Sequence, residues 1–308
     1  MVNCILYVLS VLVWGTTWFA IKLQVTSEVA PPVSVGYRFC LAAIILIPLC
    51  LLLKKKMQFT LKEHLYMGFQ GIMQFGLSFY LAYWGTQNMK SGFAAVAFST
   101  IVIMNILNGA IFYRLPVRAN VVVGAVLGFL GVLTIFWPDI KTFDCASKCF
   151  IGFGYVMFGT LMASVGNILS ARNQKKGIPV LQNNAYGMLY AGLFVLGLSL
   201  MRGHGLNFDM SVNYTGSLVY LSVIGSIVGF GCYLTLLGRI GADRAAYAIV
   251  LTPIVALTLS TLLEGFEWND YTIGGCMIVL FGNVLVLWPR KLKRVASINT
   301  EKSIEAVS

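Results

Sequence analysis

The chain has 308 residues, of which 58% are hydrophobic and 11% are charged, and its mean hydropathy is +0.82. This balance excludes an ordinary soluble domain, which would expose large apolar patches to water. The formal net charge of +11 suggests nucleic-acid binding at first sight, but the positions of the basic residues give another explanation.

Apolar residues occur in runs of about 20, the length that an α-helix needs to cross a hydrocarbon core of roughly 30 Å. The sequence therefore predicts an all-α integral membrane protein with ten transmembrane helices. The first run has no basic segment before it and nine more runs follow, so we expect a retained helix and not a signal peptide. The predicted spans lie near residues 3–23, 33–53, 65–84, 92–113, 119–137, 150–171, 180–201, 215–237, 244–264 and 271–289.

A five-helix unit occurs twice along the chain. Residues of one type recur at an offset of 151 positions, as in Gly15 and Gly166, Phe79 and Phe230, and Trp137-Pro138 and Trp288-Pro289. Because each unit holds an odd number of spans, the two copies must be inverted relative to each other. We expect a first repeat at 1–137, an external linker at 138–149, a second repeat at 150–289 and a disordered cytoplasmic tail at 290–308.

The basic residues concentrate in alternate loops. With a cytoplasmic N-terminus, the inner loops and the C-terminal tail hold 16 of the 22 basic residues, the outer loops hold four, and Lys22 and Arg38 lie within spans. This positive-inside bias predicts a multi-pass protein of the cytoplasmic (inner) membrane with both termini in the cytoplasm. The charge excess thus indicates topology and a lipid bilayer as partner, and not a nucleic acid.

The middles of the predicted spans contain no carboxylate. Intramembrane proton relays use Asp, Glu or His, so coupling through a buried carboxylate is disfavoured. The sequence also lacks HExxH, GxSxG and GxxxxGK[ST] motifs, and it predicts no enzyme, no cofactor and no metal site. Cys145 and Cys149 form a CxxxC pair in the linker, for which a disulfide and two separate thiols both remain open.

Polar and aromatic side chains within the spans are the candidates for a solute pathway, because polar groups that face lipid are costly. For a hydroxyl, a bond to its own helix is the alternative, and the aromatic residues could equally be packing or an interfacial belt. The residues that we expect to line a substrate cavity are Trp14, Thr16, Thr17, Gln74, Tyr80, Tyr83, Asn105, Asn167, Ser226, Tyr233, Tyr247 and Thr252.

Three further residues are candidates for gating or for contact with a substrate carboxylate. Lys22 lies near the outer end of the first span, where snorkelling to the interface or pairing with Glu28 is the alternative. Arg38 lies about two turns into the second span, where it either braces an outer gate or holds a carboxylate. Pro253 interrupts the ninth span and frees a backbone carbonyl, which is typical of transport sites.

Several motifs resemble those of the EamA-type drug/metabolite transporter family. The stretch from Trp14 to Lys22 resembles the WG-x-x-(F/W)-x-x-x-K signature of that family's first span, and Pro32, Arg38, Phe39 and Ala42 resemble its P…RF…A pattern. The resemblance implies ten helices in two inverted repeats around a central cavity, and mostly the export of amino acids or other small metabolites. The chain departs from the pattern at Val102, where a proline is usual, near Leu115, where an acidic residue is missing, and at Glu267, which is displaced by about one position.

The leading hypothesis is a secondary transporter that moves a small metabolite, an amino acid or a derivative, by alternating access, with export favoured over uptake. The alternatives are uptake of an adenine-type metabolite, a membrane-embedded enzyme, and a structural or sensory membrane protein. Glycine stripes at Gly124, Gly128 and Gly131 and at Gly274, Gly275 and Gly282 predict close packing of spans five and ten in the monomer, with a homodimer contact as the alternative.

Overall fold

The computed structural model describes residues 2–113, 119–135, 137, 148–240 and 242–287, and these residues contain helices and no strand. Two π-helical segments, π1 and π2, each continue directly from one α-helix into the next. In chain order the elements are α1 (Val2–Val25), α2 (Pro31–Leu52), α3 (Leu61–Gly71), π1 (Ile72–Leu77), α4 (Ser78–Gln87), α5 (Ser91–Ser99), α6 (Ile101–Tyr113), α7 (Ala119–Ile135), α8 (Lys148–Lys175), α9 (Val180–Met201), α10 (Val212–Tyr220), π2 (Leu221–Val228), α11 (Gly229–Ile240), α12 (Ala242–Leu263) and α13 (Asp270–Leu287).

The helices of the described part of the chain have the length and composition of membrane spans. Six stretches of at least 22 residues are long and apolar enough to cross a bilayer. These are Val2–Val25, Pro31–Leu52, Ser91–Phe112, Lys148–Lys175, Val180–Met201 and Val212–Leu236. Three more apolar helices are shorter. The prediction of an all-α membrane protein is therefore confirmed.

Short connections make successive helices antiparallel, so the bundle has two ends. We name them the Lys22 end and the Arg172 end after a residue at each. At the Arg172 end, a capping box begins α3: the backbone N–H of Thr60 donates to Glu63 at 2.6 Å, and the N–H of Glu63 donates to the Thr60 hydroxyl at 3.3 Å. In the turn that joins α8 to α9, Gly177 has a φ of +84°, a conformation that favours glycine.

The segments π1 and π2 occupy matching places in the two halves of the chain. An offset of 151 carries residues 72–77 onto 223–228, which lie within π2. A π-helical insertion shifts the side chains that follow it around the helix axis, and such insertions are frequent at functional sites. In this protein the two segments carry Gln74 and Ser226 on the faces that turn toward the interior.

Helices α7 and α13 pack backbone to backbone through the predicted glycine stripes. A methyl group on Gly131 would overlap the backbone carbonyl of Gly275, and one on Gly282 would overlap that of Gly124. Such close approach of helices is the usual role of small residues in membranes. The prediction that these helices pack together within the monomer is confirmed: Gly124, Gly131, Gly275 and Gly282 are covered by this contact, whereas a methyl group on Gly274 would meet nothing within 4 Å.

Candidate functional site

The helices enclose a narrow central cavity of about 50 Å³. It lies where α1, α2, π1, α4, α5, α6, α8, α11 and α12 meet. This volume holds a few water molecules, so a larger molecule can enter only if the helices move apart. The lining residues are Trp14, Thr17, Trp18, Ile21, Arg38, Gln74, Phe79, Ala95, Phe98, Ser99, Ile101, Ala163, Asn167, Phe230, Tyr233, Ile249 and Thr252.

Six of the seventeen residues that line the cavity are aromatic. The ring of Trp14 lies 5.3 Å from that of Phe230 and 4.7 Å from that of Tyr233, measured between centroids. The absence of a side chain at Gly229 leaves the space that the Trp14 indole occupies. On the other side, the ring of Trp18 contacts that of Phe98 at 5.3 Å. Such edge-to-face and tilted pairs are favourable arrangements, and they give the cavity a largely apolar wall.

Arg38 is the only charged side chain among the described residues that line this cavity. It is 1% exposed. Its Nε donates a hydrogen bond of 3.0 Å to the Ser226 hydroxyl, and its Nη1 donates one of 3.4 Å to the Tyr83 hydroxyl. The guanidinium carbon lies 4.5 Å from the centre of the Phe79 ring, a cation–π distance. Arg38 thereby joins α2 to π2 and α4.

The Tyr83 hydroxyl continues this network. It donates to Oε1 of Gln24 at 2.8 Å, so that side chains of α1, α2, α4 and π2 form one connected group. Gln24 is fully buried, and its Nε2 has no hydrogen-bond partner. The group around Arg38 therefore contains more donors than acceptors.

A second polar group lies opposite, on π1, α6 and α8. Nε2 of Gln74 donates to Oδ1 of Asn167 at 2.7 Å, and Nδ2 of Asn167 donates to Oδ1 of Asn105 at 3.3 Å. Gly166 allows the contact, because a methyl group there would overlap Gln74. Gln74 and Asn167 line the cavity, and Asn105 supports them from behind.

The amide hydrogen bonds extend from the cavity to the Arg172 end. Gln70 donates to Gln74 and accepts a bond of 3.2 Å from Asn183, which in turn accepts one of 3.1 Å from Asn173. Six carboxamides are thus connected in series, from Asn105 to Asn173. Buried polar groups that satisfy one another rigidify the helices that carry them, so this series joins α3, π1, α6, α8 and α9 in the Arg172 half of the bundle.

A second pocket of about 550 Å³ opens at the Lys22 end. Its residues are Lys22, Gln87, Asn88, Met89, Lys90, Phe93, Cys149 and Glu264. The Lys22 ammonium donates to the backbone carbonyls of Thr86 at 3.0 Å and Met89 at 2.9 Å. A cation at the carboxyl end of a helix stabilises that end, and Lys22 thus holds α4 against α1.

At the same end, Glu264 bridges α12 to α5. Its carboxylate accepts hydrogen bonds from the backbone N–H of Ser91, at 2.9 Å, and from the Ser91 hydroxyl, while its backbone carbonyl accepts one from Lys90. A carboxylate at a helix N-terminus is favourable. Glu267, which the resemblance to the family places about one position from the acidic residue of its pattern, is exposed, and Glu264 makes the helix contact.

The structure brings seven of the predicted site residues together at the central cavity. Three others support them: Tyr83 and Ser226 bind Arg38, and Asn105 binds Asn167. Pro253 is buried in α12, next to Thr252. The seven cavity residues are Trp14, Thr17, Arg38, Gln74, Asn167, Tyr233 and Thr252.

The remaining candidates lie elsewhere. The Thr16 hydroxyl bonds to the Tyr220 hydroxyl and to carbonyls of its own helix. Tyr80 accepts a bond of 2.8 Å from Arg202, away from the cavity. The side chain of Tyr247 lies outside the described residues, as does Cys145. Sequence reasoning missed Gln24, Asn183, Asn173 and the contact between Ser91 and Glu264, because these pairings depend on which helices become neighbours.

Within the described residues, no group of three or more His, Cys, Asp or Glu side chains is placed to hold a metal ion.

The EamA-like transporter family matches this chain twice, over residues 1–137 and 150–288. The chain belongs to the EamA-like transporter family. The resemblance of the span-one and span-two motifs to this family is therefore confirmed. Family membership also implies a lipid environment and a small-molecule substrate.

Relatives of similar length share about a quarter of the sequence. Protein PagO of Salmonella typhimurium is 24% identical over 289 residues, which cover 94% of this chain and 93% of PagO. The uncharacterized transporter YoaV of Bacillus subtilis is 25% identical over 296 residues, covering 92% of this chain and 96% of YoaV. A crystal structure with 15% sequence identity superimposes with a TM-score of 0.65 over 92% of this chain and 95% of that chain. This last likeness concerns the fold alone.

Proposed function

We propose that this protein is a secondary transporter that moves a small metabolite across the cytoplasmic membrane by alternating access. The observation that carries the proposal is the central cavity, which has aromatic walls, paired amides and a buried arginine, in a chain that belongs to a transporter family. Binding sites at the meeting point of many spans, near the membrane middle, are typical of such proteins.

Two inverted five-helix repeats, ten spans in all, explain the contacts between α7 and α13. Gly131 meets Gly275, and Gly124 meets Gly282. The 151-residue offset carries Gly124 onto Gly275 and Gly131 onto Gly282, so each contact maps onto the other. Reciprocal contacts of this kind are what a two-fold axis produces. The matching positions of π1 and π2 give further support.

In the proposed cycle the two ends of the bundle open in turn. The Lys22 end is closed by Glu264 on Ser91 and by Lys22 on the carbonyls of α4. The Arg172 end is closed by the series of amides from Asn105 to Asn173. These contacts join different helices, so each can break while the helices themselves stay intact. Following the positive-inside bias, we assign the Arg172 end and both termini to the cytoplasm.

The substrate we propose is an amino acid or a derivative, with export favoured, as the resemblance to the family implies. Arg38, Gln74 and Asn167 are its polar contacts, and Trp14, Tyr233 and Thr252 complete the site. Lys22 lies where a substrate would enter the bundle from the Lys22 end. Pro253 allows α12 to bend beside Thr252. Uptake of an adenine-type metabolite is a second transport function that the same cavity can serve.

The proposal is tested by uptake and counterflow in proteoliposomes against a panel of amino acids and other metabolites, with and without a pH gradient. We expect saturable flux of at least one compound. Protein that is shown to be folded but carries none of them would count against transport. Comparison of right-side-out and inside-out vesicles then assigns the direction.

A further inference from the structure

The charge balance of the central cavity is uneven. Arg38 carries one full positive charge, and none of the described residues that line the cavity is acidic. No ion pair between Arg38 and a carboxylate occurs among the described residues, although Arg38 is 1% exposed. A cation in a low-dielectric site without a counter-ion is costly. Ser226 and Tyr83 supply only neutral hydroxyl acceptors.

The hydrogen-bonding groups around the cavity are also unevenly distributed. An arginine side chain carries five N–H donors and a carboxamide carries two on its nitrogen. Nε2 of Gln74 and Nδ2 of Asn167 each donate one bond to a neighbouring amide oxygen. Each nitrogen thereby keeps a second N–H for a ligand. The oxygens of both side chains already accept bonds, from Gln70 and from Gln74 respectively. The two amide nitrogens and Arg38 therefore offer free N–H donors, whereas the two amide oxygens are already engaged.

A second cation would be poorly accommodated. The aromatic face nearest to Arg38 is that of Phe79, and the guanidinium already occupies it at 4.5 Å. An ammonium group within a few ångströms of Arg38 would be repelled in this weakly screened environment.

From these observations we infer that the transporter selects an organic monoanion, a carboxylate with an apolar body and no ammonium group, over the zwitterionic amino acid of the same skeleton. The inference rests on the proposed function and narrows its substrate to those amino-acid derivatives that lack the ammonium group. The carboxylate neutralises the single charge of Arg38, since the planar guanidinium matches its two oxygens. Its body lies against Trp14, Phe230 and Tyr233. The spare N–H groups of Gln74 and Asn167 accommodate a further oxygen, such as a hydroxyl, keto or acyl group.

Two matched ligand series test the charge preference. Phenylalanine, 3-phenylpropionate and phenylalaninamide share one skeleton as zwitterion, anion and cation, and alanine, propionate and alaninamide do the same with a small body. Binding is measured as the ligand-induced rise in unfolding temperature of the purified protein. Transport is measured as counterflow, with protein-free liposomes to subtract passive permeation of the acids.

We expect the anion of at least one series to raise the unfolding temperature and to exchange at least about tenfold faster than its zwitterion, a difference of ~1.4 kcal/mol. Arg38→Gln is expected to remove this preference. Arg38→Lys is expected to keep part of it, because lysine retains the charge but loses the planar fork. The comparison among ligands in the unaltered protein does not depend on how well either variant folds.

Equal or stronger binding and transport of a zwitterion or a cation would overturn the inference and leave the transporter proposal intact. If neither series is carried but another compound is, the net charge of that compound decides: an anion supports the inference, and a zwitterion or cation overturns it. If no compound is carried at all, the transporter proposal fails. An anion-specific rise in unfolding temperature would then still support the charge selectivity, and its absence would overturn that as well.

Discussion

Nε of Arg38 donates a hydrogen bond to the hydroxyl of Ser226, 3.0 Å away, and this bond joins α2 to π2 beside the central cavity. The same hydroxyl donates to the carbonyl of Leu221 at 2.9 Å, five residues earlier in the chain. The π-helical register thus lets one serine satisfy its own helix and receive the arginine. Arg38 is thereby held in a fixed direction before a substrate arrives.

Ser226→Ala should destabilise the protein, because it leaves a buried charged donor without its acceptor. We expect a loss of about 1–3 kcal/mol, the range for an unsatisfied buried group, together with weaker substrate binding. Ser222→Ala is the matched control: Ser222 is also buried in π2, but its hydroxyl donates only to the carbonyl of Leu218. Thermal unfolding in detergent compares the two, and equal losses would show that the bond to Arg38 contributes nothing.

Gly275→Ala should separate α7 from α13. Its methyl group would overlap the carbonyl of Gly131, and overpacking of this kind costs about 1–3 kcal/mol. The adjacent Gly274→Ala is the control, because a methyl group there meets nothing within 4 Å. We expect Gly275→Ala to lower the unfolding temperature and Gly274→Ala to leave it unchanged. If the two variants unfold at the same temperature, the close packing of these helices is wrong.

Gln74 and Asn167 should be energetically coupled. Because they share a hydrogen bond of 2.7 Å, Gln74→Leu or Asn167→Leu alone leaves the partner amide unsatisfied, whereas the double variant removes both. A double-mutant cycle in unfolding free energy is expected to give a coupling of about 0.5–3 kcal/mol. Additive losses would mean that the two amides do not interact in the folded protein.

Glu264→Ala should weaken the closure of the Lys22 end, since it removes the carboxylate that holds Ser91 at the start of α5. In protein whose seven native cysteines are replaced, we expect a membrane-impermeant thiol reagent to react faster with a cysteine introduced at Ile21, which lines the cavity. The rate should rise roughly tenfold if ~1.4 kcal/mol of closure is lost. Glu267→Ala, a change at an exposed glutamate nearby, is the control and should leave the rate unchanged. Similar rates for both variants would contradict a closing role for Glu264.

The sequence indicated the all-helical membrane class and the family because both depend on local signals: the length of apolar runs and the motifs around Trp14 and Arg38. It also indicated that the glycine stripes of α7 and α13 meet. Small residues at helical spacing have few other uses in a membrane, so composition alone was informative there.

The partners of individual polar residues were less accessible to sequence reasoning. Thr16 and Thr17 are neighbours, yet only Thr17 faces the cavity, because α1 turns Thr16 toward Tyr220. Likewise Glu264 and Glu267 both follow the apolar run of α12. The residue at which that helix ends determines which of the two carboxylates reaches Ser91. Helix rotation and tilt are set by packing between helices distant in sequence, for which a single sequence carries no local signal.

The most direct test of transport through the central cavity is counterflow by the unaltered protein beside an Ala163→Trp variant. Ala163 lines the cavity and is 4% exposed, so the indole would fill the space that a substrate needs. Loss of saturable counterflow in a variant that remains folded, with normal flux in the unaltered protein, is the result that we expect. Undiminished counterflow through the filled cavity would contradict the central claim.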